Sequence, residues 1–171
     1  EKTDSQIIIE RFSSMDWDEV KKNAEVLAEQ GKTPLFFSKD GKFIGMIAVA
    51  DVIKEDSPEA VRQLQNMGIH VVMLTGDNEK TAKAIANNAG IEHVVSDVMP
   101  ADKAGVIEKL QSDGRRVLMV GDGINDAPAL ALADVGMAIG SGTDIAIESA
   151  DIVLMSSSLQ GVASAISLSK A

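Results

Sequence analysis

Apolar residues recur at two different spacings along this chain, and the change from one to the other divides it. Residues 16–30 carry Val20, Ala24, Leu27 and Ala28 at helical intervals, and Gly31 follows as a stop. A short β-prone run at 6–10 precedes that helix. After it, apolar runs at 34–37 and 43–50 flank Asp40-Gly41, a pair suited to a hairpin turn that needs positive φ. From Asp51 onward, short apolar runs alternate with helical spacing. Strands are predicted at 71–74, 93–96, 116–120, 135–139 and 152–155, and helices at 57–67, 78–89, 101–111, 127–132 and 159–169. Short apolar strands alternating with helices imply a parallel sheet covered on both faces, an open α/β fold. Breaks in the pattern fall at 31–34 and, more subtly, at 51–57. Trp17, the only tryptophan, reads as a packing residue.

Composition narrows the classes of function. The chain has 171 residues, enough for a real core, and a net charge of −10 from 16 basic and 26 acidic residues. That balance argues against a nucleic-acid or anionic-membrane surface. Without a single cysteine, neither a disulfide framework nor a thiolate metal site is available. The longest apolar runs fall far short of the roughly 20 residues a membrane-spanning helix requires, so no direct membrane insertion is expected. The opening Glu1-Lys2-Thr3-Asp4 lacks both an initiator methionine and the layout of a signal peptide, and reads as the start of a piece of something longer. Of the eight methionines, Met46, Met67, Met73, Met119, Met137 and Met155 lie in apolar runs or on helix faces and are expected in the core.

In open α/β sheets ligands bind beyond the carboxyl ends of the strands, and three stretches lie there. Thr75-Gly76-Asp77-Asn78 offers a hydroxyl, an approachable amide and a carboxylate at a helix start, which suits a phosphate; simple helix capping is the plainer account. Lys103 follows Pro100 early in a helix, where a cation is disfavoured unless it faces an anion; otherwise it is a solvated lysine paired with Asp102 or Glu108. Gly121-Asp122-Gly123-Ile124-Asn125-Asp126-Ala127-Pro128 places two carboxylates four residues apart on a strand-to-helix turn. Mg²⁺ is held by one or two such carboxylates with substrate phosphate oxygens completing the shell. Gly121 and Gly123 would let the backbone bend and approach a ligand. Together the three stretches supply what phosphoryl transfer needs, which is positioning and charge neutralisation. No nucleophile is evident.

These motifs, Thr75-Gly76-Asp77-Asn78, Lys103 in its Pro-x-x-Lys context and the turn from Gly121 to Leu130, resemble the later signatures of P-type ATPases, whose phosphorylation domain is haloacid dehalogenase-like. Gly140-Ser141-Gly142-Thr143-Asp144 and the run from Ile147 to Met155 are similar to the heavy-metal branch, and within it to the copper(I)/silver pumps. Ala50-Asp51 resembles the hinge at which the nucleotide-binding domain rejoins the phosphorylation domain. The resemblance implies an open, parallel-sheet, Rossmann-like domain at 51–171, lacking its nucleophile strand, preceded at 1–50 by a small α+β remnant of the nucleotide-binding domain. It implies that Thr75, Gly76, Lys103 and Asn125 meet the phosphoryl group, that Asp122 and Asp126 hold Mg²⁺, and that Asp77 faces the nucleotide. Thr75, Lys103 and Asp126 would carry the catalysis. ATP and Mg²⁺ would be cofactors of a full-length translocase at the cytoplasmic face of a membrane.

The departures are equally specific. The family's Asp-Lys-Thr-Gly-Thr, the His-Pro of the heavy-metal nucleotide domain and the Cys-Pro-Cys of its transmembrane site are all absent from the sequence. The expected partners are therefore the phosphorylation-motif strand and transmembrane helices of the same protein, and the piece alone is expected to be inactive. One alternative is a non-catalytic phosphate- and Mg²⁺-binding regulatory module. Another is a stand-alone phosphatase using Asp51, which lacks the Asp-Gly-Thr type of loop such an enzyme needs.

Overall fold

The computed structural model describes residues 5–8, 16–51, 53–140 and 144–170, with the backbone alone at 5–8 and 51. The first unit is an antiparallel sheet with one helix packed on it. Strands β1 (Ser5–Ile8), β2 (Thr33–Lys39) and β3 (Lys42–Asp51) pair in the order β1-β3-β2, and α1 (Trp17–Glu29) lies between β1 and β2 in sequence. Asp16 caps α1 by accepting the Asp18 amide at 3.0 Å, and Gly31 leaves it at φ 77°. Asp40 and Gly41 turn the hairpin with φ of 52° and 73°, the paired positive values of a type I′ turn. Ala24 and Leu27 of α1 bury against Met46 and Ala48 of β3. Residues 31–34, read from the sequence as a possible boundary, instead join α1 to β2 inside this unit. Trp17 packs on Phe36 and Phe43, with ring centroids 5.7 and 5.8 Å away, yet stays half exposed.

The second unit alternates strand and helix as expected: α2 (Ser57–Asn66), β4 (Val72–Leu74), α3 (Glu79–Ala89), β5 (His93–Val95), α4 (Lys103–Ser112), β6 (Leu118–Gly121), α5 (Ala127–Leu132), β7 (Val135–Ile139), α6 (Asp144–Glu148), β8 (Ile152–Leu154) and α7 (Gln160–Ser169). All its strand pairs are parallel. Among the described residues they form two sheets, β4-β5 and β6-β7-β8, and not one continuous sheet. Both flanks of this split share cores. Leu74 packs on the cluster of Ile107, Met119 and Leu130, while Val71, Leu118 and Val120 pack on that of Leu64, Met137 and Val162. The central strand β7 is largely buried, whereas Val72, Met73 and Leu74 of β4 are all only half-buried.

Three expectations change. Helix α4 begins at Lys103, after a 3-10 turn at Pro100–Asp102 in which the Asp102 amide bonds back three residues to the Met99 carbonyl at 2.9 Å. Helix α6 has no counterpart in the periodicity, since five residues with only Ala146 buried leave no pattern to read. Met155 is 94% exposed just beyond β8, and so is not a core residue. Among the described residues no helix is long and apolar enough to cross a membrane.

Candidate functional site

The three loops singled out by the sequence follow β4, β5 and β6, and hydrogen bonds and packing link them in series. Thr75 donates its amide to Val95 O at 3.0 Å and accepts Val98 N at 3.1 Å, while Asp77 O accepts Asp97 N at 2.8 Å. The first loop is thus stitched to the second. Asp97 takes a left-handed φ of 56° to make that turn, and buried Val98 anchors it. From there the chain enters the 3-10 turn at Pro100–Asp102, which packs against the turn at Ile124–Asp126 in the third loop.

Within the first loop, Asn78 is the cap of α3. Its side-chain oxygen accepts the Thr81 amide at 3.1 Å. Thr75 and Asp77 are therefore free of capping duty and engage each other: the Thr75 hydroxyl donates to Asp77 Oδ2 at 2.8 Å and accepts the Asp77 amide at 3.1 Å. Asp77 Oδ1 accepts a second hydroxyl, that of Thr33, at 3.2 Å. Gly76 is exposed between them, and a Cβ there would stand 3.3 Å from the Val98 carbonyl oxygen. An exposed amide, a hydroxyl and a helix N-terminus at one spot can receive a phosphate.

Lys103 has neither Asp102 nor Glu108 as its ion-pair partner. Its Nζ lies 2.6 Å from Asp126 Oδ1, and the two side chains are only 18% and 12% exposed. The anion that makes a lysine tolerable at a helix start is thus a carboxylate of this chain, delivered by the third loop. The other oxygen of Asp126 accepts the Gly123 amide at 3.4 Å, folding the side chain back over Gly121. A Cβ at Gly121 would stand 2.7 Å from Asp126 Cβ. Neither Gly121 nor Gly123 has positive φ, so what Gly121 provides is room for Asp126. Gly123 is extended at φ −118°, with nothing nearer than 3.8 Å to a Cβ.

Among the described residues no three His, Cys, Asp or Glu side chains converge into a ready metal cage. The donor set still fits Mg²⁺. Asp122 is an exposed carboxylate directly beyond β6, and Asp126 retains acceptor capacity, because a carboxylate has about four lone-pair sites and two are in use here. Asn125 is exposed between them. The structure thus brings Lys103 and Asp126 together and Thr75 and Asp77 together. Thr33, 44 residues from its partner Asp77, carried no sequence signal. The lysine's unfavourable position on α4 was the one hint of its pairing.

Comparison with known proteins gives a consistent picture. A family model described as haloacid dehalogenase-like hydrolase matches residues 3–134, and a second with the same description matches 104–166. The protein described as copper-transporting ATPase 2 of Rhizobium meliloti is 56% identical over 148 residues, 86% of this chain and 18% of that protein. A probable copper-importing P-type ATPase of Enterococcus hirae is 52% identical over 160 residues, 92% of this chain and 22% of that protein. Among solved structures, a zinc-transporting PIB-type ATPase in an E2.Pi state superposes with a TM-score of 0.75 at 34% identity, over 97% of this chain and 27% of that one. The catalytic domain of a CPx-ATPase gives 0.65 at 38% identity, over 74% and 51%. The chain spans about a fifth of the length of the curated relatives described above.

Proposed function

The chain belongs to the haloacid dehalogenase-like hydrolase family, and from that premise we propose that it is the phosphate- and Mg²⁺-binding part of an ATP-driven heavy-metal cation pump, with copper the favoured cargo. Its relatives described as copper-transporting ATPases support the cargo. The observation that carries the reading is the joining of three strand-end loops into one series, closed by the Lys103–Asp126 pair.

In this reading Thr75 and the Gly76 amide bind the transferred phosphoryl group. Lys103 neutralises its developing charge, and Asp126 holds the lysine in place. Asn125 completes the phosphate contacts, and Asp77 lies toward the nucleotide. Asp122 and Asp126 would hold Mg²⁺ together with the phosphate oxygens; the bound ion supplies charge neutralisation. The acceptor aspartate comes from another segment of the same polypeptide, whose strand pairs in parallel between β4 and β6. The open edges of β4 and β6 support that placement, since among the described residues β4 pairs with β5 and β6 with β7, and an unpaired edge in a packed sheet calls for a partner. Transmembrane helices of the same protein place this part at the cytoplasmic face of the membrane. The piece alone binds without turnover. Residues 1–50 serve as the end of the nucleotide-binding domain and 51–171 as the phosphorylation domain.

The test joins the upstream segment to this chain and follows phosphoenzyme formation from labelled ATP. Lys103→Ala and Asp122→Ala are each expected to reduce labelling by about 100-fold or more, the scale on which a charge-stabilising group acts. Unchanged labelling in both would sink the assignment. Stimulation of full-length ATPase by zinc or cadmium in place of copper would change the cargo and leave the chemistry standing.

A further inference from the structure

The two units of the fold meet on α3. Lys80 lies 3.8 Å from both Glu25 and Glu29 of α1, and the buried Thr81 hydroxyl donates to the Lys32 carbonyl at 3.1 Å. These contacts grip residues at the start of α3 but stop short of the loop before it. One side chain of the first unit reaches further. Thr33, the first residue of β2, is set by its pairing with Val49 and sends its hydroxyl to Asp77 Oδ1. The two oxygens of Asp77 are thereby occupied by two hydroxyls, one local and one from across the unit boundary.

We propose that Thr33 is a positioning residue for the phosphate loop: it fixes the Asp77 carboxylate, which fixes the Thr75 hydroxyl, tying the first unit to that loop. The proposal rests on the reading of Thr75 as phosphate-binding. Thr75 has one proton to give, and here Asp77 holds it. When that proton turns to a phosphoryl oxygen, Asp77 retains the Thr33 hydroxyl as donor, so a partly buried carboxylate is not left without one. Loss of Thr33 leaves the Asp77 carboxylate held by a hydroxyl at one oxygen only, and so loosens the loop at rest.

The clasp is tested by residue-resolved amide exchange on the 171-residue chain, with no phosphate present. The amide at position 77, which donates to Thr75 Oγ1, is the reporter. Thr33→Val should speed its exchange about tenfold, the scale of a hydrogen bond to a charged group. Thr33→Ser, which keeps the hydroxyl, should stay within about twofold of the parent. In an Asp77→Ala background Thr33→Val should have no further effect, since the middle of the clasp is gone. Equal behaviour of the valine and serine chains, an undiminished valine effect without Asp77, or faster exchange spreading to Val135–Ile139 in the far sheet would each overturn the proposal. Thr33→Ala takes the valine's place in the same cycle if the valine chain fails to fold. Because no phosphoryl group takes part, a failed clasp leaves the assignment of Thr75 standing. A failed phosphoenzyme experiment likewise leaves the clasp standing as a tie between the units.

Discussion

Lys103 and Asp126 are 23 residues apart in sequence and 2.6 Å apart in space, both largely removed from water. Truncating the lysine leaves a mostly buried carboxylate with only the Gly123 amide as a partner among those described above. Lys103→Ala should therefore lower stability by about 1–3 kcal/mol in denaturant unfolding. Asp122→Ala removes an exposed carboxylate and should change stability by less than about 0.5 kcal/mol, so any effect it has on activity would be chemical. The glycines of the same turn divide in the same way. Gly121→Ala drives a methyl to within 2.7 Å of Asp126 and should destabilise by about 1–3 kcal/mol, whereas Gly123→Ala, which meets only ordinary contacts from 3.8 Å outward at an extended φ, should be nearly silent in the same melts. The octet made a pair of carboxylates on a strand-to-helix turn legible, because an apolar run delivers Asp122 and a proline opens the helix just after Asp126. Which carboxylate meets the lysine was not legible, because two loops following different strands bring them together.

At the scale of elements, the ends of helices and strands were readable wherever one residue dictates them, as Gly31 does for α1 and Asp40-Gly41 does for the hairpin. Elements held by a few long-range bonds were less so, and Asp134 shows why. It lies just before β7 and ties two other elements to it, accepting the Val117 amide ahead of β6 at 2.8 Å and the Gln111 side chain of α4 at 3.2 Å, both on Oδ2. The Val117 amide first, and then Gln111, hold its carboxyl below the ordinary range. A carboxylate whose pKa is lower folded than unfolded stabilises the fold above its unfolded pKa, about 3.9, and loses that contribution as pH falls through the folded value. Asp134→Asn should therefore flatten part of the acid limb of a stability profile below about pH 4, with little change in slope near neutrality. An unchanged acid limb in denaturant titrations at several pH values would show that the tie is not carried by the charge.

For the whole molecule, the alternation of strands and helices was enough to predict a parallel α/β unit, but strand neighbours are set by crossovers and not by order in sequence. Hence the division into β4-β5 and β6-β7-β8 was visible only in the structure. It has an energetic consequence. Among the described residues β4 pairs only with β5, and β6 only with β7, although their side chains share cores on both flanks. Backbone groups on the outer edges of β4 and β6 must find water or another partner, since an unpaired buried group costs about as much as a lost hydrogen bond. Amide exchange of the 171-residue chain should accordingly be fast at those edge amides and slow at Gly136, Met137 and Ala138 of β7, which is paired on both sides. Joining the segment that carries the acceptor aspartate should slow exchange at both edges together by about 100-fold or more, because a strand inserted between them gives each a ladder and closes the sheet. Slowing at one edge alone would place that segment outside the split. Strong, uniform protection in the unjoined monomer would mean that no strand is needed there, and the proposed partner would have to be sought elsewhere on the surface.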